Sequence, residues 1–172
     1  MALLIVAPLA AEPHDLRRIE AIRRRHDPQA GLMGAHVTLV FGFDAPTAET
    51  VAAHLASAAA RQGAVALRLS AVIPVRDDHD SKSRVFLVPD QGRAEIEALH
   101  DALHAGPLAG ALRPDIAYIP HVTVAAFDHH DQAEDLAREI GRIGMAARLP
   151  ALELIAFDGA AVTVLERFSL LG

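Results

Sequence analysis

A fold that mixes helices and strands, built by duplicating one β-α-β-α-β unit, is what this 172-residue sequence predicts. Three observations predict it. Strand-like and helix-like segments run through the chain twice in the same order, corresponding segments stand at nearly constant offsets, and each copy carries one His-Val-Thr. A unit this small cannot bury a sheet face alone, so the two copies are expected to pair about a pseudo-twofold axis, leaving a cleft between two lobes. They span about residues 1–83 and 84–172 of a single domain.

The first copy opens with Leu3–Leu9, a short apolar run of β type. From Pro13 to Arg25 the apolar residues Leu16, Ile19 and Ile22 recur at helical spacing. His36–Phe43 reads as a strand, Thr47–Arg61 as an Ala-rich helix, Val65–Val75 as a strand, and Arg76–Ser83 as a polar loop. In the second copy Val85–Val88 is the first strand and Arg93–His104 a helix with Ile96, Leu99 and Leu103 on one side. The segment Ala105–Ile119 holds Gly106, Pro107, Gly110 and Pro114 and is expected to be loop rather than further helix. His121–Phe127 is a strand, Gln132–Ile143 a helix, Ala147–Phe157 a strand, and Val162–Leu170 a closing strand. His36 to His121 is 85 positions, and both Leu3 to Val85 and Val65 to Ala147 are 82.

The chemistry lies in the repeated motif. Side chains alternate along a strand, so His36 and Thr38 share one face while Val37, Leu39 and Phe41 take the other. His121 and Thr123 share a face in the same way, with Val122 and Val124 toward the core. A lone His-x-Thr on a strand is usually structural. Ten His and five Thr in this length give about 0.3 such patterns by chance, and two occur at equivalent places. Two imidazoles and two hydroxyls across one cleft suit a phosphodiester or cyclic phosphate. An imidazole with a pKa near 6.5 serves as base or acid. One removes a proton from the attacking oxygen, the other protonates the departing ribose oxygen, and hydroxyls hold the non-bridging oxygens. The scheme requires no metal and no cofactor.

Composition narrows the alternatives. At 52% hydrophobic and 22% charged, the chain has globular rather than disordered composition. It has no cysteine, which removes disulfides, thiolate nucleophiles and Cys-ligated metals. A net charge of −6 argues against coating long nucleic acid, leaving a nucleotide or an RNA end as partner. No apolar run is long enough for a bilayer, and the apolar start lacks a basic n-region, so a monomer in the cytoplasm is expected. One lysine among many arginines, with abundant Ala, suits a GC-rich bacterial genome.

His36-Val37-Thr38-Leu39 and Pro120-His121-Val122-Thr123-Val124 resemble the signature of the 2H (two-histidine) phosphoesterase superfamily, which includes 2′-5′ RNA ligase-like proteins and 2′,3′-cyclic phosphodiesterases. The resemblance spans the whole chain. It implies a bilobal α+β (LigT-like) fold whose antiparallel sheets line a central cleft, with helices outside. It also implies His36 and His121 as the acid–base pair and Thr38 and Thr123 as phosphate ligands. Joining members of the family carry an Arg just after the second motif, where this chain has Ala125 and Ala126, so hydrolysis is expected over 2′-5′ ligation. A non-catalytic nucleotide- or RNA-end-binding module is the other alternative.

The remaining candidates are weighed against plainer roles. Arg17, Arg18, Arg23, Arg24 and Arg25 suit a solvated helix face better than an RNA grip. Tyr118 is the lone tyrosine, three residues before His121, placed either to stack on a base or to make a core contact. Arg84 and Arg113 flank second-copy elements, from which a guanidinium could pair with phosphate. Asp77-Asp78-His79-Asp80 lacks the spacing of a calcium loop and reads as a solvated cleft rim. In His129-His130-Asp131 the aspartate is the expected helix N-cap, and metal binding is not expected.

Overall fold

The computed structural model describes residues 1–77 and 80–172. Asp78 and His79 of the expected cleft rim lie outside the described residues. The strands are β1 (Ala2–Pro8), β2 (Ala10–Ala11), β3 (His36–Phe43), β4 (Val65–Arg76), β5 (Ser83–Gln91), β6 (Val122–Phe127), β7 (Met145–Leu149), β8 (Ala151–Phe157) and β9 (Val162–Ser169). The helices are α1 (Pro13–His26), α2 (Ala48–Ala59), α3 (Arg93–Leu103) and α4 (His130–Ile140).

Two antiparallel sheets result, one ordered β3-β1-β8-β9 and the other β2-β7-β4-β5-β6. Helices α2 and α3 pack on the four-stranded sheet, α1 and α4 on the five-stranded one. The α+β fold with helices outside and sheets facing each other is therefore the one the resemblance implied. The helices seal the outer sheet faces with Ile5, Val37, Leu39, Leu55 and Leu99 on one side and Ile19, Val85, Leu87, Val122 and Leu136 on the other. Val6, Ala151 and Ile155 of one sheet and Phe86 and Val88 of the other are also buried but lie outside that main cluster.

The halves of the sequence do not coincide with the sheets. β4, last of the first half, pairs with β5 of the second, while β8 of the second half pairs with β1. Helices cross over as well, since α1 packs on β6 and α3 on β3. Cross-strand pairing also corrects the offsets. Thr38 pairs with Val6, which pairs with Glu153; Thr123 pairs with Phe86, which pairs with Ile73. Val6 and Phe86 are thus equivalent, as are Ile73 and Glu153, both at 80 positions rather than 82. At that offset β4 corresponds to β7 and β8 together, and the Leu67–Ala147 pair of β4 and β7 lies on the axis.

Several sequence expectations need correction. Ala147–Phe157 is two strands in two sheets, divided at Pro150, whose missing N–H cannot continue a ladder. The connection after α3 contains a 3-10 helix, Gly106–Ala111, begun at Gly106 with φ +61°. The N-cap of α4 is His129, and Asp131 lies in its first turn. Phe41 does not face the core: it is 39% exposed, and Val40 is buried instead. The cause is a bulge in β3, where Thr38 pairs with Val6 but Val40 with Ile5, leaving Leu39 as an extra residue. Among the described residues no helix is long and apolar enough to cross a membrane.

Candidate active site

The two motif strands are both sheet edges. β3 borders the four-stranded sheet, β6 the five-stranded one, and they approach each other across the seam. Each bulges one residue after its threonine, at Leu39 in β3 and at Val124 in β6. Bulges re-aim neighbouring side chains. Here they let both residues around the bulge, Leu39 with Val40 and Val124 with Ala125, enter the core. His36, Thr38, His121 and Thr123 are all half-buried.

Both imidazoles are held identically. His36 Nδ1 lies 2.8 Å from Gly34 O, and His121 Nδ1 lies 2.6 Å from Ile119 O, each the carbonyl two residues back. A carbonyl only accepts, so Nδ1 carries the hydrogen and Nε2 is left as the titrating nitrogen. The His121 ring also stacks on Phe86, with centroids 3.6 Å apart at 18°. Neither threonine hydroxyl is engaged by another described group, so both remain available as donors.

Electrostatics distinguishes the pair. Burial lowers the His121 pKa to about 4; the Ile119 carbonyl opposes this, while charge on His36 and on Arg84 adds to it and Asp77 opposes it. Burial also lowers the pKa of His36, opposed by the Gly34 carbonyl and by Asp27 and Glu153, and helped by Arg23. Burial is the main reason that His121 stays neutral, and positive charge on His36 adds to it.

The other candidates fall differently. Arg84 stands across from Ala126, on the strand beside the second motif, so its side chain shares a face on which Ala126 offers only a methyl group. Its guanidinium is braced by Asp77 at 2.5 Å and by both oxygens of Asp80, which raises its pKa further. Arg113 lines a small pocket beside His100, His104 and Tyr118. It pairs with Asp115 at 3.0 Å on an exposed loop, near Phe41, Leu112 and Ile116. Tyr118 is a structural contact rather than a base platform: its ring stacks on His100, centroids 3.8 Å apart, and its hydroxyl donates to Thr38 O at 2.9 Å. His100 Nδ1 donates to Leu39 O at 2.7 Å, so the two stacked rings satisfy the outward carbonyls of the bulge. Tyr118→Phe should therefore cost about 1–2 kcal/mol, read as a lower urea midpoint with unchanged slope.

Some residues around the site escaped the sequence reading. Phe86, Glu153 and Arg167 lie on the inner faces, with Arg167 donating to Glu153 at 2.5 Å. Glu153 interrupts the apolar run Ala151–Phe157, a signal that could have found it. Arg23 is neither solvated nor free to grip RNA; it is 1% exposed and ion-paired with Glu20 and Asp27. Among the described residues no group of three metal-ligating side chains occurs. A polar cavity of about 400 Å³, lined by Arg76, Lys82, Ser83, Asp128, His129 and His130, holds none of the motif residues.

The family profile of the 2′-5′ RNA ligase superfamily matches residues 9–167 of the chain. The chain belongs to that superfamily. A Bacillus pumilus protein bearing the name "Putative phosphoesterase" is 32% identical over 66% of the chain, and the match spans 64% of that relative's length. A Bacillus licheniformis protein of similar name is 27% identical over 87% of the chain and 78% of its own. Among solved structures, E. coli LigT complexed with 3′-AMP aligns over 100% of both chains, with TM-score 0.63 and 17% identity. The Thermus thermophilus protein TT0787 aligns over 100% of this chain and 99% of its own, with TM-score 0.63 and 17% identity. At those identities the two structures establish the superfamily fold and nothing finer.

Proposed function

We propose that this superfamily member is a metal-independent phosphodiesterase that opens 2′,3′-cyclic phosphates, or related cyclic or 2′-5′ phosphodiesters, of nucleotides or RNA ends. The observation that carries the reading is the matched pair of imidazoles. Each is pinned at Nδ1 by its own backbone and each leaves Nε2 for proton transfer. The LigT structure with 3′-AMP adds support, since that relative holds a nucleotide monophosphate.

His121, neutral through the physiological range, takes a proton from the attacking water as its oxygen bonds to phosphorus. His36, in its protonated form, gives its proton to the ribose oxygen as the P–O bond breaks. A phosphomonoester and a free hydroxyl result. Thr38 and Thr123 donate to the non-bridging oxygens as charge grows there. His121 becomes protonated and His36 neutral, so a return of one proton through solvent resets the site.

The test is turnover of a panel of 2′,3′-cyclic nucleotides and 2′-5′ dinucleotides in EDTA, with products identified by ³¹P NMR. The expected kcat/KM profile is a bell. It rises as His121 loses its proton near pH 4 and falls as His36 loses its own, so the optimum lies below 6.5. Activity abolished by EDTA and restored by a divalent ion would refute the scheme, and so would binding of nucleotides without turnover across the panel.

A further inference from the structure

We propose that Glu20 is a positioning residue for His36, acting through the Gly34–Ala35 peptide group. The inference rests on the two-histidine reading above for its catalytic meaning, although its geometry stands alone. Glu20 Oε1 accepts the Ala35 N–H at 2.6 Å. The carbonyl at the other end of that same planar group, Gly34 O, accepts from His36 Nδ1 at 2.8 Å. Carboxylate, peptide and imidazole thus form one chain, in which each bond polarises the next. Rotation of the peptide plane would break both bonds together.

Glu20 is itself held. Arg23 Nη1 donates to both of its oxygens, at 3.0 and 3.1 Å, and Nη2 donates to Met33 O at 3.0 Å. Arg23 Nε donates to Asp27 Oδ2 at 3.0 Å, and Asp27 Oδ1 accepts the Gln29 N–H at 2.9 Å. Helix α1 therefore grips the backbone entering β3 at Met33 and at Ala35, on either side of the carbonyl that orients His36. Of this group Arg23 and Asp27 face His36, and the other charges near it are Glu153 and the second motif imidazole, His121.

The second motif solves the same problem without a carboxylate. The peptide that accepts from His121 is Ile119–Pro120, which has no N–H to be gripped, and the pyrrolidine ring restricts the chain instead. Eighty positions beyond Glu20 and Arg23 stand His100 and Leu103, neither of them acidic. One imidazole is fixed by a ring, the other by an acid acting through a peptide.

The test compares Glu20→Asp with Glu20→Gln by long-range ¹H–¹⁵N NMR of the histidine rings and by steady-state kinetics. Asp keeps the charge for Arg23 but is about 1.5 Å too short to reach Ala35 N–H; Gln keeps the reach and an acceptor oxygen but drops the charge. In E20D, neutral His36 is expected to become a mixture of tautomers, and kcat to fall at least about tenfold with KM within about twofold. In E20Q the Nδ1–H tautomer is expected to persist, and the signals of His121 to stay in place in both variants. The proposal is overturned if folded E20D retains a single Nδ1–H tautomer at His36, or if His121 changes along with it. The ring spectra need no substrate, so a wild-type protein inactive on the whole panel would refute the proposed function and leave the spectra to decide this inference.

Discussion

Replacing His121 by Ala is expected to lower kcat/KM for a cyclic phosphate by about 10³-fold or more, and His36→Ala by a similar factor. The two transfers occur in one transition state, so the double variant should lose little beyond either single one. Continuous assay of cyclic-phosphate opening in EDTA checks this; a single variant within about tenfold of wild type would end the acid–base pairing. The same substitution carries a stability signature. His121 in the folded protein titrates near 4, below the 6.5 of an unfolded histidine, so between those values the unfolded chain binds more protons. Stability therefore falls as pH drops from 6.5 toward 4, by on the order of 2–3 kcal/mol from this group. Thermal melts at pH 7 and 4.5 should converge for His121→Ala relative to wild type.

Arg23→Met is expected to be the most destabilising of the changes considered. It leaves Glu20 and the nearly buried Asp27 with like charges beside one another and no cation between them. Removing one partner of a buried ion pair costs about 3–5 kcal/mol, or roughly 10 °C for a chain of this size. The loss should depend little on salt, because the Arg23 guanidinium is buried away from mobile ions. A urea midpoint unchanged by the substitution would show that the network is energetically idle. Activity should fall with it, since Met33 O loses its donor.

Much of this was legible from residue order alone. Period-two and helical spacing placed the strands and helices within a few residues, and the doubled His-Val-Thr pointed to two imidazoles on neighbouring edge strands, each held by the carbonyl two residues back. What period alone could not supply was the bulge after each threonine, which turned Phe41 outward and Val40 inward. Bulges come from pairing with a partner strand, here β1 and β5, and the partner is remote in sequence. Tyr118 stood open between a base platform and a core contact, because its hydroxyl serves an edge carbonyl visible only after folding. Arg23 is the instructive miss. It sits four residues after Ile19 on the apolar stripe of α1, a place where a solvated side chain has no reason to stand. Grouping it with neighbouring arginines by charge hid the position that marked it as buried.

The exchange of strands between the two halves sets a condition on biosynthesis. β1 leaves the ribosome early, yet one of its two neighbours, β8, is made some 140 residues later. Until that segment emerges, β1 can pair only with β3, which leaves an apolar side open to wrong pairing. A chain stalled or truncated before Ala151 should accordingly be a substrate for chaperones and proteases rather than a half-active fragment.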